Sequence, residues 1–153
     1  MKKLNFLAAF FLAVAMLTTT FTSCNKDDED GSSDPKDLIG TWKLVSVEEW
    51  WKDLEDGESD HDKYTIDSDD DDEMVILTFN EDGTCTSKEY DDKKGKIVTE
   101  TVSYTASNGV IKFSSGVEYG ECNFSVSGST LTFSKELTED DEWMKAVWVF
   151  KKQ

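Results

Sequence analysis

The chain has 153 residues, a net charge of −17, and thirty-three acids against sixteen cations, all of them lysine. This length allows one domain with a modest core, and a surface so acidic repels nucleic acid and anionic headgroups. With no arginine, bidentate capture of carboxylate or phosphate is excluded, and a single histidine excludes a zinc site built on several imidazoles.

The N-terminal stretch reads as an address. Lys2 and Lys3 precede an apolar run from Phe6 to Leu17. That run is too short to span a bilayer, which takes about 20 residues, but has the length of a signal-peptide core. Phe21-Thr22-Ser23-Cys24 resembles a bacterial lipobox, which implies a lipidated Cys24 as the mature N-terminus. Two or more acyl chains anchor stably, each buried CH₂ contributing about 0.8 kcal/mol. The expected division is a lipoprotein signal peptide over 1–23, the lipidated Cys and an acidic flexible tether over 24–36, and a folded domain over 37–153. Loss of the leader, with its two lysines, takes the net charge two units further negative.

From Thr41 to Trp51 β-branched and aromatic residues recur without helical spacing, which predicts a first strand. Asp37 is placed to cap a short helical turn through Leu38 and Ile39. Lys52 to Glu73 is dense in charge and predicts an exposed, mobile loop. Further strands are expected over Met74–Phe79, Thr84–Tyr90, Ile97–Thr105, Val110–Ser114, Val117–Ser127, Thr130–Lys135 and Trp143–Lys151, joined by turns such as Asn80-Glu81-Asp82-Gly83 and Ser107-Asn108-Gly109. Glu136 to Glu142 is expected to be a charged loop. Period-two alternation buries one face and wets the other. The fold class predicted is all-β: an eight-stranded antiparallel up-and-down barrel, since closure removes both exposed edges. Leu38–Ser46 and Trp143–Lys151 should meet where it closes.

Four stretches carry a family resemblance. Gly40-Thr41-Trp42 resembles the Gly-x-Trp signature of lipocalins, and Gly40 to Ser46 is similar to the opening of the intracellular fatty-acid-binding proteins, both in the calycin superfamily. Leu77 to Thr84 and Gly128 to Phe133 resemble the lipocalin-like lipoproteins of the Bacteroidetes. Asn25-Lys26-Asp27-Asp28-Glu29-Asp30 resembles their Lys-then-acidic export signal. The resemblance implies a lipocalin-type barrel held in the outer membrane by its lipid anchor alone, at the cell surface or, second, on the periplasmic face. One departure matters. Fatty-acid-binding proteins clamp the ligand carboxylate with an Arg-x-Tyr pair on the last strand, and Ala146 to Lys151 contains neither residue.

Candidate sites follow. Trp42, Glu100, Tyr104 and Trp148 lie on inward-reading faces and are the candidate ligand-binding residues, Trp42 also serving as a core plug. Trp50 and Trp51 end the first strand and are candidate surface aromatics for stacking on a sugar or capping a cavity. Asp67 to Glu73 clusters oxygen ligands suited to calcium but departs from an EF-hand, with Asp72 at its sixth position and Thr78 at its twelfth. His61 stands in the acidic block; a Ser-His-Asp site would need it ordered and buried, which an exposed loop argues against. Cys85 and Cys122 are expected as free, partly buried thiols on non-adjacent strands. No catalytic set, metal site or cofactor is predicted. The expected function is binding of a small apolar or amphipathic molecule in the barrel, the alternative a filled barrel that contacts glycan or protein through its exterior.

Overall fold

The structure is a computed structural model that describes residues 31–66, 74–91, 94–114 and 120–153. It opens with a 3-10 turn, Pro35–Leu38, and continues through β1 (Gly40–Asp53), β2 (Ser59–Thr65), β3 (Val75–Phe79), β4 (Thr84–Asp91) and β5 (Lys96–Ser107). The series ends with β6 (Val110–Phe113), β7 (Glu121–Ser127), β8 (Thr130–Glu139) and β9 (Glu142–Lys152). Every pairing is antiparallel, and β1 pairs with β9 to close eight of the strands into a barrel. The expected closure is therefore present, with Trp42–Asp53 running against Glu142–Lys152.

β1 is the hinge of the design. A register shift between Leu44 and Ser46 marks a β-bulge at Val45, and a bulge adds a residue that bends the strand and resets its alternation. The buried side chains accordingly run Trp42, Leu44 and then Val47. Below the bulge Gly40–Lys43 pair with β3; above it Ser46–Lys52 pair with β2. This corrects the expected loop over the described part of Lys52–Glu73, which stays mostly exposed but is largely strand; residues 67–73 lie outside the described residues. Ser59–Thr65 is an edge strand in which charge is admissible because one edge and one face meet water. It is fixed by cross-strand pairs: Tyr64 hydroxyl to Glu49 at 3.1 Å, His61 to Glu48 at 2.9 Å and Lys63 to Glu48 at 3.0 Å.

Two further expectations change. The helical turn is capped by Asp34, whose side chain accepts from the Lys36 backbone N–H at 2.9 Å, so it starts three residues earlier than an Asp37 cap would place it. The expected loop over Glu136–Glu142 is mostly strand. β8 and β9 continue to Glu139 and Glu142 around Asp140–Asp141, with Asp140 at a φ of 49°, a conformation Asp tolerates better than most residues. The Asn108–Gly109 turn carries positive φ at both positions, 52° and 75°, which a two-residue hairpin of this hand requires.

Turns 80–83, 108–109 and 128–129 gather at one end of the barrel, the base; turns 54–58, 94–95 and 140–141 gather at the other, the mouth. The base is sealed from within. Trp42 and Leu38 are fully buried, and the Trp42 indole N–H donates to the Leu38 carbonyl at 2.7 Å. Phe79, Tyr104, Phe113, Phe133 and Phe150 pack in edge-on and tilted contacts beside them, the geometry favoured by aromatic quadrupoles. Ser32 exchanges backbone hydrogen bonds with Val126, 2.7 and 2.8 Å, on the edge of β7 left free because β6 begins only opposite Asn123. The expected tether thus ends as a strap fastened to the barrel.

Candidate functional site: the barrel mouth

Register arranges the inner faces of β2, β1, β9 and β8 in tiers. The lowest, Tyr64–Val47–Trp148–Phe133, is the roof of the aromatic core. Above it lie Asp62–Glu49–Ala146–Lys135, and above those Asp60–Trp51–Met144–Leu137. Ala146 is fully covered and Lys135 is 8% exposed, whereas Trp51, Met144 and Leu137 are half-buried. The uppermost apolar tier is therefore a strip that the described residues leave partly open.

The opposite wall is the upper part of the β4–β5 hairpin. There Ser87 stands across from Glu100 and Glu89 across from Val98. Ser87 is buried and its hydroxyl reaches Glu89 Oε1 at 3.5 Å. Burial, then the neighbouring charge of Glu100, raises the Glu89 carboxyl above the ordinary carboxylate value, while the Ser87 contact works against that shift. Glu49 is raised as well, chiefly by burial, with its Tyr64 hydrogen bond opposing. Tyr64 is pushed up by burial and by Glu49. Lys135 is shifted the other way: burial lowers its ammonium, against the fields of Cys122, Glu121 and Glu139. The mouth is an acidic wall facing an apolar strip, with one buried cation at its floor.

The residues singled out from the sequence divide between the two ends. Trp42 is the base plug, its ring lying 5.1 Å from Lys152 Nζ. Tyr104 points to the base, donating to the Asn80 carbonyl at 3.3 Å and meeting Phe79 edge-on at 5.1 Å. Trp148 is buried at mid-height. Only Glu100 lies on the mouth half, on the inner face as expected but exposed, below the Asp91–Lys96 end of its hairpin. The four are not brought together. Trp50 and Trp51 part company because consecutive strand residues point to opposite faces. Trp51 enters the mouth, while Trp50 lies outside between His61, stacked at 5.0 Å, and Lys145, 5.2 Å from its centroid. The Trp50 ring thus carries a neighbour from each adjacent strand.

Glu49, Tyr64, Glu89, Lys135, Leu137 and Met144 were not singled out from the sequence. The legible signal was the alternation of Met144, Ala146, Trp148 and Phe150; nothing local ranks Lys135 above the other lysines. Cys85 and Cys122 are free and buried, and burial pushes each thiol up to about 12. Among the described residues no three His, Cys, Asp or Glu side chains converge as a metal site, and no helix is long and apolar enough to cross a membrane. Cys24, the signal peptide and the Asp67–Glu73 run lie outside the described residues.

A family model described as a lipocalin-like domain covers residues 38–133, from the base turn to the middle of β8. No curated protein matches the chain.

Proposed function

The chain belongs to the lipocalin-like domain family, and from that premise we propose that it is a non-enzymatic binder of a small amphipathic molecule, taken up at the barrel mouth and presented from a lipid anchor on the outer membrane. The family's barrel fits small-molecule binding and is generally a binding fold rather than an enzyme. One observation carries the reading for this chain: the interior is closed by aromatic side chains at the base and left half-open at the tier of Trp51, Met144 and Leu137. Pockets at barrel mouths with a few polar groups are the usual site of this architecture.

The ligand's apolar part lies along that strip and its polar part meets Glu49, Glu89 and Glu100. A neutral, hydroxylated or cationic head suits carboxylates there; a fatty-acid carboxylate does not. Lipidation of Cys24, a signal peptide over 1–23 and display at the cell surface belong to the same proposal. Their support is the leader and lipobox alone.

The test is a titration of the mature protein with alkyl chains of ten to twelve carbons (by choice of probe, roughly the length that a barrel of this size encloses) bearing trimethylammonium, hydroxyl or carboxylate heads. Native mass spectrometry reads the adducts. A one-to-one adduct is expected with the cationic and neutral heads, lost in Met144→Glu and retained in Trp50→Phe. Adducts that ignore Met144→Glu, or that favour the carboxylate, overturn the proposal.

A further inference from the structure

The charge of this molecule is not spread evenly along the barrel axis. Around the base, Lys36, Lys43, Lys151 and Lys152 are matched by Asp34, Asp37, Glu81 and Asp82. The side chains of that end balance, so the excess of acids over lysines among the described residues falls on the mouth half. The barrel is a dipole with an almost neutral base and a strongly negative mouth, and a charged surface orients such a distribution.

Three structural features mark the base as a contact surface. First, Lys43 and Lys151 are direct cross-strand partners on the outer face. Two cations side by side concentrate positive potential on that face, to which an anionic layer is attracted. Second, an open niche of about 390 Å³ lies between the N-terminal strap and the β7–β8 turn, lined by Ser32, Lys36, Asp37, Val126, Gly128 and Lys152. Its two lysines suit a phosphate, and Asp37 shares the lining with them. Third, the strap is fastened here: Ser32 is held to Val126 by two backbone hydrogen bonds. From Cys24 to Ser32 the chain reaches at most roughly 27 Å fully extended. An anchor at Cys24 therefore keeps the base, not the mouth, nearest the bilayer.

We propose that the base of the barrel, through Lys36, Lys43, Lys151 and Lys152, faces the phosphate layer of the membrane that holds the anchor, and that the mouth opens away from it. The proposal rests on the lipid-anchor reading above. It gives the acidic mouth a consequence: its repulsion from the phosphates keeps the ligand entrance clear of the surface and open to molecules arriving from solution.

The test uses the full chain, processed in a bacterial host and reconstituted in vesicles of phosphatidylcholine with phosphatidylglycerol. Single cysteines at Ser129→Cys (base) and Asp56→Cys (mouth) carry a fluorescent donor, and the lipid headgroups carry the acceptor. Native Cys85 and Cys122 are buried and do not compete for label. The two positions differ by roughly 30 Å along the axis, from the strand length and tilt of such a barrel. Transfer from the base label is expected to exceed that from the mouth label at least twofold. The contrast should shrink in 1 M salt, where the Debye length falls to about 3 Å, and in the Lys43→Glu/Lys151→Glu double variant. Acylated protein with equal transfer from both labels, or stronger transfer from the mouth, overturns the orientation alone. Protein whose intact mass carries no acyl group at Cys24 overturns the anchor reading and the orientation with it.

Discussion

Replacing Trp42 by phenylalanine tests whether the base is the mechanical floor of this barrel. The change keeps an aromatic ring in the plug but removes the indole N–H that donates to the Leu38 carbonyl at 2.7 Å in a fully buried setting. Leaving a buried acceptor without that donor costs about 1–3 kcal/mol. The missing ring atoms add about 1–2 kcal/mol through lost burial and an imperfectly collapsed gap. The expected loss is then about 2–5 kcal/mol, a large share of the stability of any domain this size. Urea denaturation followed by the fluorescence of the remaining tryptophans measures it, and the midpoint should fall by about 1–2 M at unchanged slope. Because the plug lies below the Val47–Trp148–Phe133 tier, the folded variant should still form the mouth adducts. A loss under about 1 kcal/mol refutes the plug argument; a folded variant that no longer binds refutes the separation of floor and mouth.

Three other outcomes follow from the same geometry. Glu89→Gln should stabilise the protein at pH 7 and leave it unchanged near pH 3. The folded carboxyl is raised above its ordinary value by burial and by Glu100, so wild type loses stability as pH rises through that range and the glutamine does not; equal midpoints at both pH values, measured by denaturant titration, would contradict this. Ser32→Pro removes the N–H that bonds Val126 at 2.7 Å, a loss of about 1 kcal/mol, and should speed tryptic cleavage after Lys36 well before the barrel unfolds. An unchanged cleavage rate would show that the strap is held otherwise. Finally, Cys85 and Cys122 should resist a thiol reagent at pH 8 in the native protein and react together on unfolding, since burial both blocks access and pushes their pKa values to about 12; rapid labelling of either in the native state would rule out their placement.

Much of the barrel was written locally. Alternation such as Met144-Lys145-Ala146-Val147-Trp148 assigns strand and inner face within a few residues. Asn108–Gly109 announces its hairpin because few other pairs accept positive φ twice. The meeting of β1 with β9 follows from counting strands and refusing open edges. These determinations survive because each depends on neighbours in sequence or on a simple rule of closure.

What the chain could not state alone was which residues share an end. Trp42, Tyr104, Trp148 and Glu100 all alternate inward, yet two pack at the floor, one at mid-height and one on the mouth half, because height in a barrel is set by register across strands. The bulge at Val45 shifts the phase of β1 and brings Glu49 and Trp51 inward. β2 carries no apolar alternation; it exists through Glu49–Tyr64, Glu48–His61 and Glu48–Lys63, partners thirteen to fifteen residues apart. Lys135 becomes a buried cation only when β7 and β9 close around it. Sequence determined strands, faces and turns, which short-range sterics and solvation decide. Tertiary structure decided floor, mouth and the charge each carries, because those depend on pairings that form only when the sheet closes on itself.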